Sequence, residues 1–414
     1  MKTNFNKLIL TCSLCFAIFF HNKAQENPFT YNFIKYEKNQ ISQFKAGNSG
    51  GLKYFLNGLK ELENRINRKV NIVHIGDSHV QADVLSNKIR ELFQKDERFA
   101  NGGRGFIFPY AVAQTNNPVN YYVTYTGYWQ GLKSVSRNVE TKWGLSAISS
   151  KTFDVNATIT INPNVGNTNY TISRIKIFYP VFDPSSFNVS LDIDPKELLS
   201  TYLSRSGYVE YQFKNPQSEV KITFNKISAL QNHFLLQGIS LENDEAGVIY
   251  HAIGINGATV PTYFRCQDFD THLNVLKPDL VIISLGTNDT HVSRFNAEDY
   301  KNNLQYLIYE IRKASPQASI LLTTPADSYL WRRKPNPNNE KARQEILELA
   351  EEMNLAVWDF YEIMGGFKSI DKWVANNLAT RDKLHFSSKG YLLQGELLFE
   401  ALNNAYKEYI SAKW

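Results

Sequence analysis

The period of the hydrophobic pattern changes twice along this chain, and those changes divide what it can fold into. Leu52, Phe55, Leu56, Leu59, Leu62 and Ile66 recur at helical spacing and predict one apolar helix face. Val70-Asn71-Ile72-Val73-His74-Ile75 follows as a short, nearly uninterrupted strand, broken by Gly76-Asp77-Ser78. Val84, Leu85, Ile89, Leu92 and Phe93 then return to helical spacing. From about residue 109 to residue 247 the period falls to two, in runs such as ATITI, SRIKIFYP, FNVSLDI, VEYQF and EVKITF separated by Asn, Pro, Gly and Ser. At Val248 the first texture resumes. GVIYHAIGING, KPDLVIISLG, Ala318 to Thr323 and NLAVWDFY read as apolar strands. AEDYKNNLQYLIYEIRKA, KARQEILELAEEM and a last stretch from about Lys389 to Tyr409 read as helices. Such alternation predicts a parallel sheet covered on both faces. Residues 51–108 and 248–414 are therefore expected to be two pieces of one α/β domain, with residues 25–50 as an N-terminal arm. Residues 109–247 are long enough for an inserted β-sandwich or jelly-roll-like domain.

The 414 residues are 43% hydrophobic and 21% charged, which excludes a disordered, collagen-like or disulfide-stapled chain. A mean hydropathy of -0.36 argues against a multispan membrane protein. Residues 1–24 have the parts of a secretory leader: Lys2 and Lys7, an apolar core from Leu8 to Phe20, and a cleavage neighbourhood at Lys23-Ala24-Gln25. The core is shorter than the ~20 residues a spanning helix needs. The expectation is export to a bacterial periplasm or cell surface, with no transmembrane segment in the mature chain. Neither Cys12 nor Cys15 follows a small residue, so a lipid anchor is not expected. Only Cys266 then remains, and the fold must rest on its core rather than on disulfides. Three of the cations behind the formal charge of +5 (Lys2, Lys7 and Lys23) lie in the leader, so no nucleic-acid footprint is expected.

Four polar turns fall where strands of the α/β domain end, the side on which parallel sheets bind ligands. Gly76-Asp77-Ser78-His79 can lift a serine hydroxyl to the start of a helix, although a plain N-cap explains the serine equally well. Gly254-Ile255-Asn256-Gly257-Ala258 is by itself an ordinary turn. Asn288, in Gly286-Thr287-Asn288-Asp289, can donate an N–H into a site or cap the next turn. Asp382-Lys383-Leu384-His385 allows a carboxylate to hold imidazole Nδ1–H so that Nε2 faces a nucleophile, or it is a surface acid beside a satisfied histidine. Their conjunction at one sheet edge raises the functional reading. Together they supply nucleophile, base, orienter and oxyanion donors for acyl transfer.

The four blocks GDSH, the NG of GINGAT, GTND and DKLH resemble, in order, those of the SGNH (GDSL) hydrolases. The resemblance covers residues 70–108 and 248–405. It implies a three-layer α/β/α flavodoxin-like sandwich, a Ser78-His385-Asp382 triad, and an oxyanion hole made by Ser78 N–H, Gly257 N–H and the Asn288 side chain. No cofactor or metal is implied. His79 departs from the usual Leu. GDSH followed by an Asp, the inserted β domain and the GINGA block resemble the periplasmic peptidoglycan O-acetylesterases. This implies an O-acetylated glycan partner, with the 6-O-acetyl of N-acetylmuramic acid removed, and an insertion resembling a carbohydrate-binding module.

Arg104, in Gly102-Gly103-Arg104-Gly105, is a candidate for holding a substrate carboxylate or for a structural ion pair. Trp331 and Arg332, in Trp331-Arg332-Arg333-Lys334, are candidates for an aromatic and cationic rim, or for an ordinary solvated loop. Rival readings are a secreted carboxylesterase acting on another polysaccharide or on lipid esters, a non-catalytic glycan-binding protein, and a metal-dependent phosphoesterase. The last would need several more converging Asp, Asn and His ligands than the sequence offers. Asn288-Asp289-Thr290 is also an N-glycosylation pattern, and a glycan there would block the site.

Overall fold

The computed structural model describes residues 30–44, 50–165 and 169–412. The expected leader, residues 1–24, lies outside the described residues. Five strands run parallel in the order Gly247–Gly254, Lys69–Gly76, Leu280–Ser284, Ser319–Thr323 and Ala356–Trp358. A sixth, Ile41–Gln43, pairs antiparallel to Ala356–Trp358 at the edge. The arm expected over residues 25–50 therefore contributes a sheet strand, too short to show a period in the sequence.

Because successive side chains of a strand point to opposite faces, each strand feeds two cores. Val73, Ile75, Val281 and Ile283 pack with Leu273, Leu304, Ile308 and Ile346, from helices Phe269–Leu276, Ala297–Ala314 and Asn338–Met353. Val70, Ile72, Leu280 and Ile282 pack with Phe55, Ile89, Leu398 and Leu402, from helices Lys53–Glu63, Leu85–Lys95 and Ser388–Ser411. The result is a three-layer α/β/α arrangement. Ile66 departs from its expected place on the first helix. That helix ends at Glu63, Arg65 turns into the left-handed region (φ 62°), and Ile66 is 52% exposed.

The stretch of period-two texture forms antiparallel sheets of five, four and three strands, consistent with an inserted β domain. Ile159, Ile161, Ile175, Ile177, Ile222 and Phe224 meet in their core. Gly103–Ile107 is the edge strand of the five-stranded sheet and pairs with Gly238–Glu242. Gly105 lets it lie close against the parallel sheet: a Cβ there would sit 2.9 Å from both Ile249 Cγ2 and the Tyr250 carbonyl. Among the described residues no helix is long and apolar enough to cross a membrane.

Candidate active site

Strand register brings the polar turns together. Gly76 lies opposite Gly254 on one side and Ser284 on the other, so three chain segments leave the sheet side by side. Two buried phenols hold these ends: Tyr263 Oη donates to Gly76 O at 2.6 Å, and Tyr110 Oη to Gly254 O at 2.5 Å. Asp77 caps the short helix Ser78–Gln81, its Oδ1 accepting from His79 N–H at 3.0 Å. As the first residue of that helical turn, Ser78 has a backbone N–H with no acceptor inside the turn.

Ser78, partly exposed, meets the loop before the last helix. Ser78 Oγ lies 3.1 Å from His385 Nε2, and His385 Nδ1 lies 2.8 Å from Asp382 Oδ2. The His385 side chain is 39% exposed and that of Asp382 21%. Burial alone would raise the Asp382 carboxyl pKa. Hydrogen bonds from Thr380 Oγ1, His385 Nδ1 and the backbone N–H groups of His385 and Leu384 outweigh it and hold that carboxyl well below the usual range. An ionised carboxylate thus fixes the Nδ1–H tautomer and leaves Nε2 facing the serine. Thr380 was missed in the sequence; its signal is a hydroxyl two residues before the acid.

Gly257 is exposed at φ +82°, with nothing within 4 Å of where a Cβ would stand. Asn256, beside it, is tied down by its N–H donating to Gln81 Oε1 at 2.7 Å. Asn288 is partly exposed, and its Nδ2 donates to Ala258 O at 2.9 Å and to Asp77 Oδ2 at 3.2 Å. Both amide hydrogens are therefore engaged, the second over the longer distance. Asp289 points inward. Desolvation raises its carboxyl pKa to about 7 against the lowering hydrogen bond from Val260 N–H, and its Oδ2 has no partner.

Arg104 is not on the open surface. It is 1% exposed, its Nη2 donates to Asp83 Oδ2 at 2.6 Å, and Arg90 Nη2 lies 3.0 Å from the other Asp83 oxygen. Burial would raise the Asp83 pKa, but the two guanidiniums hold it well below normal. Of the two readings offered for Arg104, the geometry shows the ion pair: Gly103–Ile107 is an edge strand buried along its whole length. Trp331 and Arg332 do lie on open surface. They occupy the turn of a small hairpin, Tyr329–Leu330 with Lys334–Pro335, where Arg333 N–H closes onto Leu330 O at 3.0 Å. Both have positive φ, 51° and 63°, a conformation that costs non-glycine residues about 1 kcal/mol or more each. Trp331 is 48% exposed and its N–H faces His291 Nε2 at 3.4 Å. The hairpin is fastened to the His385 loop by Tyr329 N–H donating to Lys383 O at 2.9 Å. Among the described residues no cluster of three or more His, Cys, Asp or Glu side chains is placed to hold a metal ion.

Residues 231–393 match the model of the GDSL-like lipase/acylhydrolase family. That stretch contains Gly257, Asn288, Asp382 and His385; Ser78 reaches them through the fold. A solved structure described as a peptidoglycan O-acetylesterase in action is 21% identical, aligns with 89% of this chain and 99% of its own, and has a TM-score of 0.74. A lipase/acylhydrolase from Enterococcus faecalis is 24% identical over 38% of this chain and 77% of its own, at a TM-score of 0.32. An acetylxylan esterase from Geobacillus stearothermophilus is 21% identical over 40% of this chain and 76% of its own, at 0.29. No curated protein matches the chain. With a GDSL-like lipase/acylhydrolase domain over residues 231–393, the chain is a carboxylic ester hydrolase of the SGNH fold that resembles a peptidoglycan O-acetylesterase.

Proposed function

We propose that the chain is an exported serine esterase that removes O-acetyl groups from a cell-wall glycan, the 6-O-acetyl of N-acetylmuramic acid in peptidoglycan in particular. The observation that carries the reading is the hydrogen-bonded chain Ser78–His385–Asp382 at the carboxyl edge of the sheet. In the reaction His385 Nε2 takes the proton of Ser78 as Oγ attacks the acetyl carbonyl, and Asp382 stabilises the imidazolium. Negative charge on the former carbonyl oxygen is met by Ser78 N–H, Gly257 N–H and the Asn288 amide, which gives up its longer contact to Asp77. The imidazolium then protonates the departing sugar oxygen, leaving an acetyl-enzyme that water, activated by the same His385, hydrolyses.

An acetyl group makes small demands on an acyl pocket, so the glycan must be recognised elsewhere. The Trp331 face with Arg332, Arg333 and Lys334 beside it suits an anionic sugar polymer, and Lys334 Nζ stands 5.5 Å from the Trp331 ring centre. We read the antiparallel region, placed at residues 109–247 between the two hydrolase pieces 51–108 and 248–414, as a module that addresses the same polymer. Acetate release from O-acetylated peptidoglycan, acetylated xylan and longer-chain esters, compared at equal enzyme, tests the substrate. Peptidoglycan is expected to give the highest kcat/KM. Preference for xylan or for long acyl chains would overturn the assignment while leaving the esterase chemistry in place.

A further inference from the structure

His79 follows the nucleophile directly and is 8% exposed. Its ring stacks on His385, with centroids 5.4 Å apart and planes inclined by 29°. The other face and edges meet Phe386 at 5.9 Å and Tyr391 at 5.6 Å. Tyr391 Oη, on the last helix, lies 2.9 Å from His79 Nδ1, and this hydrogen bond ties the ring down. Nε2 has no partner, nor has Gln394 Oε1, and both side chains line a cavity of about 30 Å³, room for a single water. A leucine here would offer His385 no ring to stack on and Tyr391 no hydrogen-bond partner.

We propose that His79 is a positioning residue for the base: its neutral ring, locked by Tyr391, holds the His385 imidazole flat in line with Ser78 and lies against the imidazolium that forms when His385 takes the serine proton. The inference rests on the esterase reading above. Burial keeps His79 neutral against the pull of Asp77 and Asp382, and repulsion from a protonated His385 acts in the same sense. The titratable groups around the pair are Asp77, Asp382, Tyr391 and His291. An aromatic face stabilises an adjacent cation by electrostatics that an aliphatic side chain cannot supply.

The test compares His79→Leu, His79→Phe and Tyr391→Phe in the full chain, on a small soluble acetate ester, with Ser78→Ala as reference. His79→Leu should lower kcat about tenfold with KM within about twofold, since the stacked ring acts on the imidazolium of the transition state. The acid limb of its kcat/KM profile should move to lower pH, because the protonated base has lost support. Its Tm should hold or rise. His79→Phe, which keeps an aromatic face, should recover most of the rate, and Tyr391→Phe should fall between them. Wild-type kcat and pH profile in His79→Leu, or a rate loss that merely follows a lost Tm, would overturn the proposal. Equal losses in His79→Phe and His79→Leu would overturn the stacking argument. Turnover surviving in Ser78→Ala would instead remove the esterase reading itself, whatever the His79 variants do.

Discussion

Polar side chains crowd both ends of the parallel sheet, but they are spent differently. At the amino end, Arg68 is bonded to Asp279 and Glu61, and Asp279 Oδ2 accepts from Asn71 N–H at 2.8 Å. Lys69 reaches Gly102 O at 3.0 Å, and Lys176 pairs with Glu242. Arg68, Asp279, Lys69, Lys176 and Glu242 line a cavity of about 510 Å³ in which charge answers charge. At the carboxyl end the volume behind the site is far smaller, yet His79 Nε2 and Asp289 Oδ2 have no partner and Ser78 faces a base across 3.1 Å. Charge density therefore does not single out the carboxyl end; the hydrogen-bonded chain Ser78–His385–Asp382 does. On the esterase reading proposed above, the amino end serves stability and the carboxyl end reaction.

Substitutions at the two ends should separate rate from stability. The largest effect is expected from Ser78→Ala and His385→Ala, each lowering kcat by roughly 10⁴-fold or more with Tm nearly unchanged. Comparable loss of Tm would erase the contrast. Next, Glu242→Ala leaves Lys176, 11% exposed, with only its 3.6 Å contact to Glu210, and should cost about 3 kcal/mol in chemical denaturation while kcat holds. A fall in kcat with intact stability would give the amino end a catalytic role. Asn288→Ala should cost about 3 kcal/mol of transition-state stabilisation, a factor of roughly 100 to 1,000 in kcat with KM steady. If its contacts to Ala258 and Asp77 serve only to cap the turn, Tm falls instead and the rate changes little.

How far this contrast could be read from the chain varies by residue. The strands ending at Gly76, Gly254 and Ser284 announce themselves as apolar runs stopped by polar turns, and helix Ala297–Ala314 matches its pattern to the residue. Side-chain periodicity records burial on one face, which these elements have. Arg104 could not be placed this way. Gly102-Gly103-Arg104-Gly105 looks like a loop, and only the pairing of Gly103–Ile107 with Gly238–Glu242 encloses its guanidinium. The His79 stack is equally hidden, since it joins side chains separated by most of the chain. The Asp382–His385 contact, by contrast, spans three residues and was legible as spacing. Local geometry shows in a sequence, whereas the commitments of a donor or acceptor depend on what the fold brings to it.

The smallest effects expected concern pH. The Glu242 carboxyl, which burial alone would raise, is lowered to about 2 by Lys176 and Lys69. Its stabilising contribution is present above its unfolded value and is lost as pH falls through about 2. Asp289 has the opposite sign. Raised to about 7 by desolvation, it favours the fold below its unfolded value, and that support is lost as pH rises through about 7. Asp289→Asn, which keeps an acceptor for Val260 N–H, should therefore raise Tm at pH 8 and change it less at pH 4. Equal shifts at both pH values would show that Asp289 does not titrate between them.

The central claim, that the carboxyl end performs acyl transfer through Ser78, is tested most directly by trapping its covalent intermediate. Enzyme quenched in acid during turnover of an acetate ester, then digested and examined by mass spectrometry, should carry one acetyl group, on the peptide containing Ser78. The adduct should be absent from Ser78→Ala. Acetate release without any adduct, or with an adduct that persists when Ser78 is replaced, would contradict the account.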